Sequence, residues 1–73
     1  MTVLEQGVRE LLEEFIDVPS DAFAPLALAS LTLVEVVQEL EERFGVAIKA
    51  LDVVPENFRT ISSIVAFVNK RKP

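Results

Sequence analysis

Between positions 30 and 44, five of the seven apolar residues fall on one face of a helix. Leu33, Val36, Val37, Leu40 and Phe44 recur at i, i+3, i+4, i+7 and i+11. Two more stretches repeat the pattern: Leu4, Val8, Leu11, Leu12 and Phe15 near the start, and Ile61, Ile64, Val65 and Val68 near the end. No segment alternates apolar and polar residues for long enough to need a sheet. Each stripe must be covered by another element, so the expected fold is all-α. It is a small four-helix bundle of three main helices plus a short third one.

The ends of these helices carry their own signals. Thr2 and Glu5 have capping-box spacing, so helix one is expected to begin near Thr2. Gly7 lowers its propensity by ~1 kcal/mol relative to alanine, which the stripe outweighs. The helix is expected to fade by Asp17, because Val18 precedes Pro19 and is pushed toward extended geometry. Asp17 to Ala29 reads as a loop, long for so small a chain, with Phe23, Leu26 and Leu28 expected to fold onto the core. Helix two spans Ser30 to Phe44, with Gly45 as its C-terminal cap. Val46 to Val54 is a connection anchored by Ile48 and Leu51. Pro55 to Phe58 suggests one short helical turn, and Thr60 is a suitable N-cap for the last helix.

The chain has 73 residues, enough for one small domain spanning 1–73. It contains no cysteine, so packing alone must hold the fold. It contains no histidine either, which removes the commonest general base and the commonest metal ligand. No catalytic residue and no metal site are expected. No apolar run approaches a membrane span and no signal-peptide pattern is visible, which makes a soluble cytoplasmic protein the expectation. A monomer is expected, since one core consumes nearly all the apolar residues.

The net charge is −5 and unevenly placed. Up to Gly45 the acidic residues Glu5, Glu10, Glu13, Glu14, Asp17, Asp21, Glu35, Glu39, Glu41 and Glu42 face only Arg9 and Arg43. After Gly45, Lys49, Arg59, Lys70, Arg71 and Lys72 outweigh Asp52 and Glu56. An acidic first half argues against nucleic acid and favours partners with basic surfaces. The terminal Lys70, Arg71 and Lys72 suit the C-terminal end of a helix dipole.

Ser30 draws attention within this frame. It opens helix two, with Leu31 and Val34 beside it on a face other than the buried stripe, among Glu35, Glu39, Glu41 and Glu42. That arrangement looks like a modification site with a docking surface. A serine there is also a preferred helix N-cap, a role worth ~1 kcal/mol over alanine. The glutamates also read as a solvated face.

Leu26-Ala27-Leu28-Ala29-Ser30-Leu31, followed by Leu33-Val34-Glu35 and by Leu40-Glu41-Glu42-Arg43-Phe44-Gly45-Val46, resembles an acyl carrier protein. Pro55-Glu56-Asn57-Phe58-Arg59-Thr60 and Ile64-Val65-Ala66-Phe67-Val68 are similar to the third and fourth helices of that family. The resemblance covers essentially the whole chain. It implies that Ser30 is the attachment point of 4′-phosphopantetheine, transferred from coenzyme A by a separate Mg²⁺-dependent phosphopantetheinyl transferase. The modified chain is then a phosphoprotein that holds acyl or aminoacyl groups as thioesters. It presents them to acyl-transferring, ligating or condensing enzymes of fatty acid, polyketide or related biosynthesis. Leu31 and Val34 match the family's exposed apolar contacts, and Glu35, Glu41 and Glu42 match positions that meet basic docking surfaces. The resemblance further implies that a suitable cargo folds back between the helices. The missing histidine and cysteine are then explained, because the arm supplies the thiol and the partners supply catalysis.

The chain departs from the family in three places. It reads Ala27-Leu28-Ala29-Ser30-Leu31 where the family normally reads Gly-Leu-Asp-Ser-Leu. Losing the aspartate removes a carboxylate beside the serine and a favourable charge worth ~0.3–1 kcal/mol at the helix start. Ala27 adds a side chain where the backbone normally has freedom. Gln38 stands where fatty-acid carriers commonly have an apolar residue. Ala29 motivates the alternative reading, an unmodified acyl-carrier-like interaction module that has lost the carrier role.

Overall fold

A computed structural model describes residues 2–72. Helix α1 spans Val3–Glu13, α2 spans Ser30–Phe44, α3 spans Pro55–Phe58 and α4 spans Ile61–Arg71, with a 3₁₀ turn at Ala50–Asp52 before α3. There is no strand among the described residues, so the all-α bundle of three main helices and a short third one is the observed fold. No described helix is long and apolar enough to cross a membrane.

The three stripes meet as their spacing requires. Val8, Leu11 and Leu12 of α1, Val36 and Leu40 of α2, and Ile61, Ile64 and Val68 of α4 are fully buried. Leu4, Leu33, Val37, Phe44 and Val65 are half-buried at the edges of this core. Three buried residues lie outside the expected stripes, Val46 just after α2, Phe58 in α3 and Phe67 in α4. Phe67 stacks obliquely on Phe58 of α3, with ring centroids 5.7 Å apart, and so fastens the short helix to the long one. Arg71 lies over the outer side of the Phe67 ring, 5.3 Å from its centroid, and pairs with Asp52 at 2.7 Å.

Gly7 sits where α1 crosses α2. A Cβ at this position would lie 3.1 Å from Cζ of Phe44. The missing side chain lets the two helices approach, which compensates for its poor helix propensity. Gly45 ends α2 in the left-handed region, at φ 65° and ψ 31°, and its N–H reaches the Glu41 carbonyl at 3.0 Å. Thr60 caps α4 through the Ser63 amide, and the Ser63 hydroxyl oxygen accepts the Thr60 N–H in return. At α1, Thr2 Oγ1 accepts the Glu5 N–H. Glu5 does not complete a capping box, because its carboxylate pairs instead with Arg9.

The segment between α1 and α2 is ordered by polar ties to the bundle. Arg9 donates to the carbonyls of Pro19 and Ser20, both at 2.8 Å. The Leu26 N–H donates to the Arg59 carbonyl at 2.8 Å, and the Ser62 N–H to the Ala22 carbonyl at 2.9 Å. Leu26 and Leu28 pack on the core as expected. Phe23 does not, and is 76% exposed. Asp21 accepts the Phe23 N–H in a tight turn while Ala22 faces α4, so the next side chain is sent outward. Leu51, expected as an anchor, is also exposed. In the 3₁₀ turn it is Asp52 that faces the protein, accepting the Lys49 N–H and holding Arg71. Ile48, the other expected anchor, does pack on the core, and Val53 joins it in place of Leu51.

Candidate functional site

The site that the sequence singles out lies at the start of α2. Ser30 is the first helical residue, and the N-cap is Ala29, at φ −67° and ψ 156°. The expected capping role of Ser30 is therefore corrected: an N-cap must precede the helix in extended geometry, and Ser30 is already one position inside it. Ala29 has no side-chain oxygen to offer, and α2 has no side-chain cap. The first amide of α2 to find a carbonyl among the described residues is that of Leu33, bonded to Ala29 at 2.8 Å. The N–H groups of Ser30, Leu31 and Thr32 have no acceptor among the described residues.

The Ser30 side chain is exposed and makes no hydrogen bond to the described residues. Ser63, by contrast, donates its hydroxyl to the carbonyls of Asn57 and Thr60. An exposed hydroxyl oxygen one residue inside the positive end of a 15-residue helix is open to a partner enzyme. A phosphoryl group on it would meet free amides.

Around Ser30 the other predicted residues separate into two groups. Leu31 is 81% exposed and Val34 is 54% exposed, both free to touch a partner. At 3.6 residues per turn, Leu31, Glu35 and Glu42 fall within about 40° of one another, and Ser30, Val34 and Glu41 share a neighbouring strip. Glu35 and Glu42 are exposed and form no ion pair among the described residues. Glu41 differs from them. It is half-buried, and its Oε2 accepts the Ile48 N–H at 3.0 Å, holding the chain that leaves α2. Glu41 and Glu42 also stand about 16–18 Å along the helix axis from Ser30, so they belong to the far end of the same surface.

Arg43 shapes the charge between these groups. Its guanidinium bonds Glu14, the C-cap of α1, and also pairs with Glu39 at 3.0 Å. The hydrogen bond to Glu14, followed by the charges of Glu14 and Glu39, raises its pKa above the ordinary arginine value. Glu39 is thus satisfied internally, and the exposed carboxylates of α2 without any partner among the described residues are those of Glu35 and Glu42.

A feature that periodicity did not reveal lies beside this helix start. A cavity of about 280 Å³ opens between α2, α3 and the preceding segment, walled by Leu28, Leu33, Val53, Val54 and Phe58. Leu26 lines it too, and on its other side borders a second, more open hollow of about 510 Å³ that includes Val18, Pro25 and Ala27. Arg59 lines the first cavity. Arg9 and Arg43 each have a glutamate four positions earlier, whereas Arg59 and Arg71 have none, and of these two only Arg71 finds a distant carboxylate, that of Asp52.

The model of the phosphopantetheine attachment site family matches residues 4–68. Neither a curated protein nor a solved structure matches the chain.

Proposed function

The chain belongs to the phosphopantetheine attachment site family, whose members carry a covalently attached 4′-phosphopantetheine, and we propose that Ser30 bears that group here. The observation that carries this reading is the exposed, unbonded hydroxyl of Ser30 at the first position of α2, beside three amides without acceptors. The residues fit the group. The hydroxyl oxygen would bond to the pantetheine-side phosphorus of the coenzyme A diphosphate as the bridging P–O bond breaks; adenosine 3′,5′-bisphosphate leaves, and the serine proton passes to the transferase. The amides of Ser30, Leu31 and Thr32 face the resulting negative charge, which the helix dipole also favours. When bound, the arm supplies the thiol on which acyl or aminoacyl groups are held as thioesters.

The rest of α2 supports recognition. Leu31 and Val34 offer exposed apolar contacts to a partner, while Glu35 and Glu42 offer free carboxylates to lysines and arginines. Glu41 presents its charge only while also holding Ile48. Rim charges of this sort set encounter rate and partner choice more than final affinity. The partners in this reading are a phosphopantetheinyl transferase and enzymes that load, extend or remove the cargo in fatty acid, polyketide or related biosynthesis. Residues 1–73 act as one carrier domain. The cavity beside Ser30 gives the cargo a place to fold back between the helices.

The second reading, an unmodified interaction module, draws its support from Ala29, which leaves α2 uncapped and removes the family's carboxylate next to the serine. The test is intact mass after incubation with coenzyme A, Mg²⁺ and a broad-specificity transferase, with Ser30→Ala as control. A gain equal to one phosphopantetheine group, absent from the control, is the expected result. No gain in a folded protein rejects Ser30 as a site for that transferase and favours the module.

A further inference from the structure

We propose that Arg59 selects the cargo: the cavity beside Ser30 takes a short acyl chain that ends in a free carboxylate, and the Arg59 guanidinium receives that carboxylate. The inference rests on the carrier reading and adds to it the chemical class of what is carried.

Charge pairing singles out Arg59. The chain has four arginines. Arg9 pairs with Glu5, Arg43 with Glu14 and Glu39, and Arg71 with Asp52. Arg59 alone forms no ion pair among the described residues, and Glu56, one turn earlier, does not reach it. Arg59 is exposed, and its backbone is held in place, because its carbonyl accepts the Leu26 N–H at 2.8 Å. The backbone that carries the free guanidinium is thereby tied to the wall of the cavity.

The lining supplies the second argument. Apart from Arg59, the residues around the cavity are all apolar, including Leu28, Leu33, Val53 and Phe58, and no carboxylate is among them. Such a space suits methylenes, and its one cation suits one anion at their end. A volume of about 280 Å³ lies just under the range usual for small-molecule sites, which favours a short chain. A cargo with a neutral end leaves the guanidinium in water and gains nothing from it, so discrimination falls on the carboxylate.

The test separates this inference from the carrier reading. The unmodified chain is titrated with hexanoate and with hexan-1-ol while the methyl resonances of Leu26, Leu33 and Val53 are followed by NMR. Arg59→Gln is expected to raise the hexanoate midpoint roughly two- to fivefold, as for a partly exposed ion pair, and to leave the hexanol midpoint unchanged. Arg59→Lys is expected to recover part of the loss. The carbonyl of residue 59 makes the structural tie, so both variants keep it. Equal midpoints for parent and Arg59→Gln overturn the proposal, whatever the mass experiment shows.

A second arm identifies the source of the anion. The chain is loaded with the bare arm, with a butyryl group or with a succinyl group. The Arg59 Nε–H resonance is expected to move only in the succinyl form. A shift already complete with the bare arm assigns Arg59 to the phosphodiester and overturns a role in cargo selection.

Discussion

Replacing Ala29 by aspartate should stabilise the unmodified protein. Ala29 already has the extended backbone of an N-cap, at φ −67° and ψ 156°, so no rearrangement is needed to use a side-chain oxygen there. Such an oxygen can accept one of the free amides of α2's first turn. Exchange between alanine and aspartate at an N-cap is typically worth about 1 kcal/mol, of which ~0.3–1 kcal/mol reflects the negative charge at the helix start. In a chain this small, 1 kcal/mol moves the thermal midpoint by roughly 4–8 °C. Urea melts of parent, Ala29→Asp and Ala29→Asn at neutral pH would measure it. Asparagine keeps the hydrogen bond and lacks the charge, so it should recover the smaller part. A capping aspartate has its folded pKa lowered. Its extra stability is therefore present above the unfolded value of ~3.9 and lost as pH falls through the folded one. In the Ser30-modified protein the gain should shrink, because the phosphodiester and the carboxylate repel each other at the same amides. If neither variant differs from the parent, the first-turn amides are not free and the argument for anion binding at α2 fails.

Other perturbations test the packing and the division of labour on α2. Leu40→Ala, at a fully buried position, should cost about 2–5 kcal/mol, and a melt that barely moves would refute the assigned core. Gly7→Ala should lower the melting temperature in the parent, where its Cβ meets the Phe44 ring at 3.1 Å, but raise stability by ~0.5–1 kcal/mol in a Phe44→Leu background, where propensity is unopposed; equal effects in both backgrounds would refute the close approach. Glu41→Ala removes the acceptor of the Ile48 N–H and should cost about 0.5–1.5 kcal/mol. Glu42→Ala should stay within about 0.5 kcal/mol of the parent and instead slow association with a basic partner, a distinction that urea melts beside stopped-flow binding would settle.

The long-period features of the fold were legible from residue types. Three apolar stripes produced α1, α2 and α4, while Gly45 and Thr60 marked two of their ends. What remained hidden was settled by polar groups distant in sequence or by shared walls. Phe23 and Leu51 look like core residues by composition. Asp21 and Asp52 instead take up neighbouring backbone amides and turn those side chains outward. Phe67 is needed in the core because Phe58 comes to meet it, and no pattern within α4 announces that. At the candidate site, the exposure of Leu31 and Val34 followed from their angle on the helix. The role of Glu41 as a backbone acceptor did not, because it depends on where the chain goes after Gly45. The cavity is assembled from three separate segments and has no period at all.

The pairing of Arg43 with Glu14 and Glu39 has a bearing on how firmly this surface can hold anything. A lysine or arginine arriving from outside finds Glu39 already engaged, and must exchange one close cation for another to use it. The net gain from such an exchange is small. Electrostatic attraction to α2 is thereby concentrated on Glu35 and Glu42, and the hold on any single partner is limited. In the carrier role proposed above, a face that loses its grip easily suits passage from one enzyme to the next, and Arg43 builds that release into the free protein before any partner arrives.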